Sequence, residues 1–289
     1  MAKRILTPYD FVALDASGAP AAGSGNDLRV YAGKMANQPR LFQRGPSGKA
    51  QPLGPSFGRS RMAWWNPRGD VATIDTFGMG VTTTGTLTLA AVNNTNFYKS
   101  QRRVDALVTT PSTTAVAGFR WNQSQWYRGD AAGRGGFLVC MRVGFTTGVA
   151  STTRGFFGFV SATGAPTDAE PSGQNNVLGF GWDAADSNIS FMHKTGSGTV
   201  AKDTLSGSWA RPAANEDAVY EATIYCAPNG STVEYQLDNL TAGTTTSGSA
   251  SSSLPANTTL LLPKMYHSVG GVSSVIGITL FNCYVESDT

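Results

Sequence analysis

From about residue 71 to its end, the chain runs through ten short stretches dominated by Val, Thr, Ile, Phe and Tyr, each bounded by Gly, Asn, Asp, Pro or Ser. They are VTTTGTLTLAAV, RRVDALVTT, GGFLVCMRVGF, RGFFGFVSA, NVLGFGWDA, ISFMHKT, VYEATIYCAP, TVEYQLDNL, TTLLLPKMYHS and VIGITLFNCYVES. No stretch sustains the 3.6-residue apolar period of a long amphipathic helix. Strands at this spacing, with turns between them, predict an all-β antiparallel sandwich or jelly roll.

Residues 219–240 give the clearest local signal. Tyr220, Ala222, Ile224 and Cys226 alternate with Glu221, Thr223 and Tyr225, and Val233, Tyr235 and Leu237 alternate with Glu234, Gln236 and Asp238. The intervening APNGS holds an Asn-Gly pair, two residues that tolerate positive φ, so an antiparallel hairpin with one buried side is expected. SGSWARPAANEDAVY is too interrupted by proline to be more than a helical turn. TAGTTTSGSASSSLPANTT, residues 241–259, is low-complexity polar sequence, either a flexible tip or a strand followed by a loop; its alternating Thr favours the strand.

Residues 1–70 read differently. Glycine and proline recur, apolar periodicity is too thin for a separate core, and only FVALD and LRVYAG resemble strands. This N-terminal arm carries ten Lys and Arg against four Asp, whereas residues 71–289 carry twelve basic and fifteen acidic groups. A basic front on a mildly acidic body suits an arm that meets an acidic partner, with an ordinary solvated arm as the alternative. Arg29, Tyr31, Arg40, Phe42, Arg44, Trp64 and Trp65 are its candidate attachment residues, and AWWNPRGDV is the expected join to the sandwich.

Apolar residues make up 40% of the chain, enough for a sizeable core, and charged residues only 14%, well below the usual quarter or so. The three cysteines lie singly in apolar runs, which excludes a disulfide scaffold and predicts buried thiols. No apolar run reaches membrane-spanning length. MAKRILTPYDF has no secretory apolar region, so synthesis in the cytoplasm and carriage on an assembled particle are expected.

Candidate chemistry is sparse. His193 is expected on a strand surface and His267 at a strand end, and no G-x-S-x-G elbow is present. The carboxylates that could serve glycoside cleavage are Asp183, Asp186, Glu216, Asp217, Glu221 and Glu234, with Asp183 and Glu221 as the pair to test. In their turns and on exposed strand sides they read as solvated. Asp183, Asp186 and Asn188 in GWDAADSN supply oxygens of the kind Ca²⁺ takes, although the spacing is not an EF-hand and an Asx turn explains it as well. No cofactor or metal is expected. Nor is nucleic acid: no recognition motif is present, and Asp105 and Asp130 are available to pair with the arginines near them.

GFRWNQSQWYRGDAAGRGGF, residues 118–137, divides into two parts. In the second, Gly129, Gly133, Gly135 and Gly136 permit a tight turn and Phe137 opens a buried run. In the first, RWNQSQWY reads as an exposed loop whose Trp121, Trp126 and Tyr127, with Arg128, would contact a neighbouring subunit or partner, with sugar stacking as the second choice.

NNTNFYKSQRRVDALVTTPSTTAVAGFR followed by WYRGDAAGRGGFLVCMRVGF resembles a domain recurring in tail-fibre and other virion proteins of tailed bacteriophages. The resemblance continues through RGFFGFVSATGAPTD, NVLGFGWDAADSNI, YEATIYCAPNGSTVEYQLDNLTAG, SLPANTTLLLPKMY and ITLFNCYVESD, and so covers most of residues 75–289. It implies a concanavalin-like jelly roll displayed on a virion, usually as a homotrimer, with a variable N-terminal part for attachment and no catalytic residues to carry over. Other virion proteins, and a host surface glycan, are then the expected partners. The role implied is a fibre or adhesin-like component, with a capsid decoration or connector protein as the alternative.

Overall fold

A computed structural model describes residues 29–44, 50–54, 60–67, 75–76 and 79–288, except for positions 132, 149–151 and 208. The FVALD candidate lies outside these residues. The chain divides into two compact units, residues 1–55 and 56–289.

In the first unit, β1 (Arg29–Met35), β2 (Gln38–Arg44) and β3 (Ala50–Pro52) form a three-stranded antiparallel sheet in that order. This corrects the expectation of an irregular arm over the described part; LRVYAG was its only visible strand. Ala36 and Asn37 turn the chain with φ of 47° and 58°, the mirror-image turn whose twist matches paired strands. Ala-Asn is a weak sequence signal for that turn, which is why the hairpin is hard to read. Tyr31 lies opposite Phe42 in register, and their rings stack at 5.6 Å.

The second unit is an antiparallel β-sandwich of the jelly-roll kind, as expected. One sheet has the order β17 (Thr244–Ala250), β16 (Val233–Asn239), β15 (Val219–Cys226), β10 (Gly135–Thr147), β19 (Ser274–Asp288), β8 (Arg103–Ser112), β7 (Thr86–Ala90). β4 (Ser60–Trp65) pairs with the C-terminal half of β19, whose N-terminal half pairs with β8. The other sheet has the order β14 (Ala201–Thr204), β13 (Ser190–His193), β12 (Leu178–Trp182), β11 (Arg154–Val160), β18 (Leu262–Ser268), β9 (Val116–Trp121), β6 (Met79–Thr84), β5 (Asp75–Thr76).

VTTTGTLTLAAV, expected as one strand, is β6 and β7 in different sheets. Gly85, at φ +91°, makes the corner, and a Cβ there would meet the Leu107 backbone at 2.9 Å. The expected hairpin is β15–β16, with Asn229 at φ 54° in its turn. Within residues 241–259, Thr244–Ala250 form the edge strand β17, in line with the strand reading.

Between the sheets, β10 packs Phe137, Val139, Met141, Val143 and Phe145 against Phe157 and Phe159 of β11 and Phe180 and Trp182 of β12. The glycine turn before β10 is as expected: Gly129, Gly133, Gly135 and Gly136 have φ of 97°, 73°, 70° and 76°. A Cβ on Gly129 would sit 1.7 Å from the Arg134 carbonyl oxygen, so no other residue fits. Cys226 and Cys283 are buried and Cys140 half-buried, all as free thiols.

RWNQSQWY is not the exposed aromatic loop it resembles. Trp121 ends β9 at 1% exposure, and Trp126 is 4% exposed with its ring 6.0 Å from Phe159. The backbone explains it: Leu261 N donates to Trp126 O at 2.6 Å and Trp126 N to Leu261 O at 3.2 Å. This bridge draws Trp126 inward beside the start of β18, while Trp121 follows the inward phase of Ala117 and Phe119 on β9, leaving Asn122, Gln123 and Gln125 outside. Arg128 is also structural, donating from Nη1 to Pro255 O at 2.8 Å and from Nη2 to Gly230 O at 2.5 Å. Tyr127 alone of the four is half-buried without such a clamp.

The outer sides of the two sheets differ. On the sheet containing β11, Phe156, Val160, Met192, Leu262 and Tyr266 form a second apolar cluster. Residues 161–177 close over it. Tyr266 OH donates to Ala169 O at 3.1 Å, and Arg154 pairs with Asp168 at 2.7 Å and Glu170 at 2.9 Å. On the sheet containing β15, alternation turns Glu221, Thr223 and Tyr225 outward. Arg142 there binds Glu221 at 2.6 Å and Gln101 at 3.2 Å. A smaller apolar group, Tyr98, Val219 and Phe281, sits beside it.

Candidate functional site

β12 ends at Trp182, and the chain reverses through GWDAADSN. Asp186 N donates to Asp183 O at 3.0 Å, and Asp183 N donates to Asp186 Oδ2 at 2.8 Å, so the two aspartates hold their own turn. Lys202, on β14, reaches into this turn with Nζ 2.7 Å from Asp183 and 2.5 Å from Asp186. Burial alone would raise the Asp183 carboxyl; hydrogen bonds from Lys202 and Ser172 outweigh it and hold that group below its ordinary range. Burial would likewise lower Lys202, and the two carboxylates outweigh it and raise the ammonium. The position weighed for calcium is thus filled by the chain's own cation. Asn188, the third candidate ligand, instead pairs its backbone with Ala210.

Beside this ion cluster lies a pocket of about 260 Å³. Ile189 N donates to Trp209 O at 2.7 Å and Arg211 N to Ser187 O at 3.1 Å, which lays residues 209–211 against the loop and forms the walls. Asp186, Ser187, Asn188, Ser190 and Thr204 bring polar groups, while Ile189, Leu205 and Trp209 lie beneath them, 1%, 4% and 7% exposed. Trp209 is held by its indole N–H donating to Ser206 O at 3.1 Å. GWDAADSN was visible in the sequence as a chemically dense loop. Trp209 and Thr204 were missed, because SGSWARP has no strand period and β14 is only four residues long.

Two of the other acids, Glu216 and Glu221, are ion-paired. Glu216 binds Lys99 at 3.0 Å and Arg103 at 3.3 Å, and Glu221 is held by Arg142. Asp183 and Glu221 lie on different sheets, so they do not form the acid and nucleophile pair of a glycosidase. Arg103 and Arg134 take Asp105 and Asp130 as partners at 4.0 and 3.8 Å, as expected.

His193 is not on the surface: its Nδ1 donates to Ser252 O at 2.9 Å and its Nε2 lies 3.2 Å from Asp203. The surface expectation misread the strand phase: His193 lies on the side of Ile189 and Phe191, which faces the core, with its ring stacked 6.1 Å from Phe191. His267 does end a strand, but wholly buried, with Nδ1 donating to Gly277 O at 3.0 Å; burial lowers it to about 4.

Of the arm candidates, register pairs Arg29 with Arg44, Tyr31 with Phe42 and Gly33 with Arg40, alternate rungs that fall on one side of the small sheet. Trp64 and Trp65 belong to β4 in the other unit. Trp65 is buried in the sandwich core, a correction to its place in an attachment surface, whereas Trp64 and Met62 are each 54% exposed.

The sequence matches no protein-family model and no curated protein. Among solved structures, a protein of unknown function from Shewanella oneidensis MR-1 is similar at 11% identity, covering 82% of this chain and 90% of its own, with a TM-score of 0.53. Peanut lectin bound to a nonapeptide gives 11% identity, 80% and 98% coverage, and a TM-score of 0.48. A carbohydrate esterase of the Shiga toxin-encoding bacteriophage phi24B gives 11%, 73% and 91%, and 0.40. At such identities the common property is the β-sandwich fold.

Proposed function

We propose that this chain is a non-enzymatic structural protein of a tailed-phage virion, a fibre or adhesin-like component. Residues 1–55 attach it to the particle, and the sandwich faces the host as part of a homo-oligomer, a trimer being favoured. The observation that carries this reading is the small N-terminal sheet. Val30, Leu41 and Leu53 remain 45%, 47% and 41% exposed on it, and three short strands cannot bury such groups by themselves. With Arg40, Arg44, Tyr31 and Phe42 on the other side, it suits docking on an acidic partner.

Gold labelling of the protein on intact virions tests the reading. Label at fibre ends or tail tips is expected, and it should vanish when residues 1–55 are deleted. A monomeric chain that never enters particles would end the proposal. Exposed Met62 and Trp64 on the edge strand β4 favour a second reading, a decoration or connector protein whose sandwich binds other virion proteins. Gene deletion separates the two. Intact particles that fail to adsorb support the adhesin, and fragile or incomplete particles support the connector.

A further inference from the structure

The outer side of the β11 sheet carries two cations that the fold leaves without a counter-charge. Register sets Thr82, Arg120 and Lys264 on one rung across β6, β9 and β18. Lys264 is 5% exposed, recessed at the margin of the covering loop, and Arg120 stands half-buried beside it. Elsewhere in the sandwich Arg103, Arg142, Arg154 and Lys202 each hold a carboxylate at 3.3 Å or less. Among the described residues, no carboxylate pairs with Arg120 or Lys264. Lys264 Nζ donates to Gly164 O at a long 3.4 Å and lies 5.9 Å from the Tyr266 ring centre. Arg120 donates from Nη1 to Asn122 Oδ1 at 3.3 Å, and its Nε is buried with no acceptor.

Like charges opposite each other on a sheet are unfavourable, and a recessed ammonium without an anion is more so. Burial and then Arg120 lower the Lys264 ammonium to about 8, so it stays charged at neutral pH. Gly158 faces it from β11 and adds no charge. The groups left free here are all donors. Asn122 Oδ1 is taken by Arg120 and by Thr82 Oγ1, the latter at 2.5 Å, which leaves Nδ2 as a donor. Such a cluster repels metal ions, and a neutral ligand's own donors would find no acceptor in it. It suits an anion with several acceptor oxygens. Two positive charges and three donor side chains match a tetrahedral dianion better than a planar monoanion.

We propose that Lys264, Arg120 and Asn122 form a phosphate site on the outer side of the sandwich, taking inorganic phosphate or the phosphate monoester of a lipid headgroup. The assignment uses the second unit alone and does not depend on the virion reading.

The test is titration of the full chain with inorganic phosphate, followed by phosphorus NMR. Acetate is the carboxylate control, and phosphatidylcholine vesicles with and without phosphatidic acid are the lipid arm. Saturable phosphate binding in the millimolar range or tighter is expected. Arg120→Gln and Lys264→Met should each weaken it about tenfold or more. Affinity should also fall as pH rises past about 8, where Lys264 loses its proton. Lys264→Met keeps the bulk of the side chain and removes a stranded charge, so its melting temperature should rise. A lower melting temperature with phosphate binding intact would make Lys264 a strut for the loop and overturn the site. Capture on phosphatidic acid vesicles, lost in the same variants, would name the lipid headgroup as the source. Phosphate binding without vesicle capture would name a soluble phosphate. The proposal is overturned if phosphate does not saturate, if acetate binds as tightly, or if folded forms of both variants bind like wild type.

Discussion

The two outer sides of the sandwich solve one problem in opposite ways. The β11 sheet has an apolar outer side, and residues 161–177 seal it with Tyr266, Arg154 and a set of backbone contacts. The β15 sheet has a polar outer side on which Arg142 and Glu221 satisfy each other across strands, with only the Tyr98 group beside it. The first arrangement commits a long loop to structure. The second is covered in part as well, since Thr223, Thr279 and Glu286 are wholly buried there, and the Arg142–Glu221 pair satisfies what stays partly exposed. Burial, not charge, should therefore dominate stability.

The largest test of that contrast is Phe156→Ala, beneath the sealing loop. A fully buried ring lost from a closed cluster should cost about 4 kcal/mol in urea denaturation. A loss below about 1 kcal/mol would mean the loop lies loosely and the two sides are equivalent.

Acid sensitivity should also come from burial. His267 titrates near 4 in the folded chain against 6.5 ordinarily. Above pH 6.5 both states hold it neutral and its full contribution is present. As pH falls from 6.5 toward 4, the unfolded chain takes up a proton that the folded chain refuses, and about 3 kcal/mol is lost. His267→Gln keeps an N–H donor for Gly277 O and should remove this part of the pH slope. Glu221→Gln should leave it in place; if Glu221→Gln abolished it instead, the charged side would be the acid-sensitive one.

Glu221→Gln at neutral pH should cost no more than about 1 kcal/mol, the range of partly exposed pairs. Smallest of all, deleting residues 1–55 should leave the melting temperature of the sandwich unchanged within error. A large drop would mean that the N-terminal unit belongs to the core.

The fold could be read largely because its inward sides alternate regularly. β15, β16 and β10 carry period-two patterns, and the glycines before Phe137 announce their turn. What could not be read depended on partners distant in sequence. Trp121 and Trp126 sit among amides and arginines, as exposed aromatics do; Trp121 is turned inward by β9, in phase with Ala117 and Phe119, and Trp126 by the bridge to Leu261, 135 residues later. His193 shares the inward phase of Phe191, but a polar ring there reads as exposed until Ser252 O, 59 residues later, is seen to accept from it. The candidate site was half visible. GWDAADSN showed its acids, but Lys202 and Trp209 join them through a short edge strand and an irregular segment, neither of which has a period to recognise.

β4 enters the sandwich along β19, pairing six residues from Ser60 opposite Asp288 to Trp65 opposite Cys283. A pull on the N-terminal side, directed along that strand, would load these rungs together in shear and not peel them one by one. The neighbours of β19 on its other edge would share the tension through β10. A chain entering its body this way resists being torn off lengthwise far better than one ending in a hairpin at the tip.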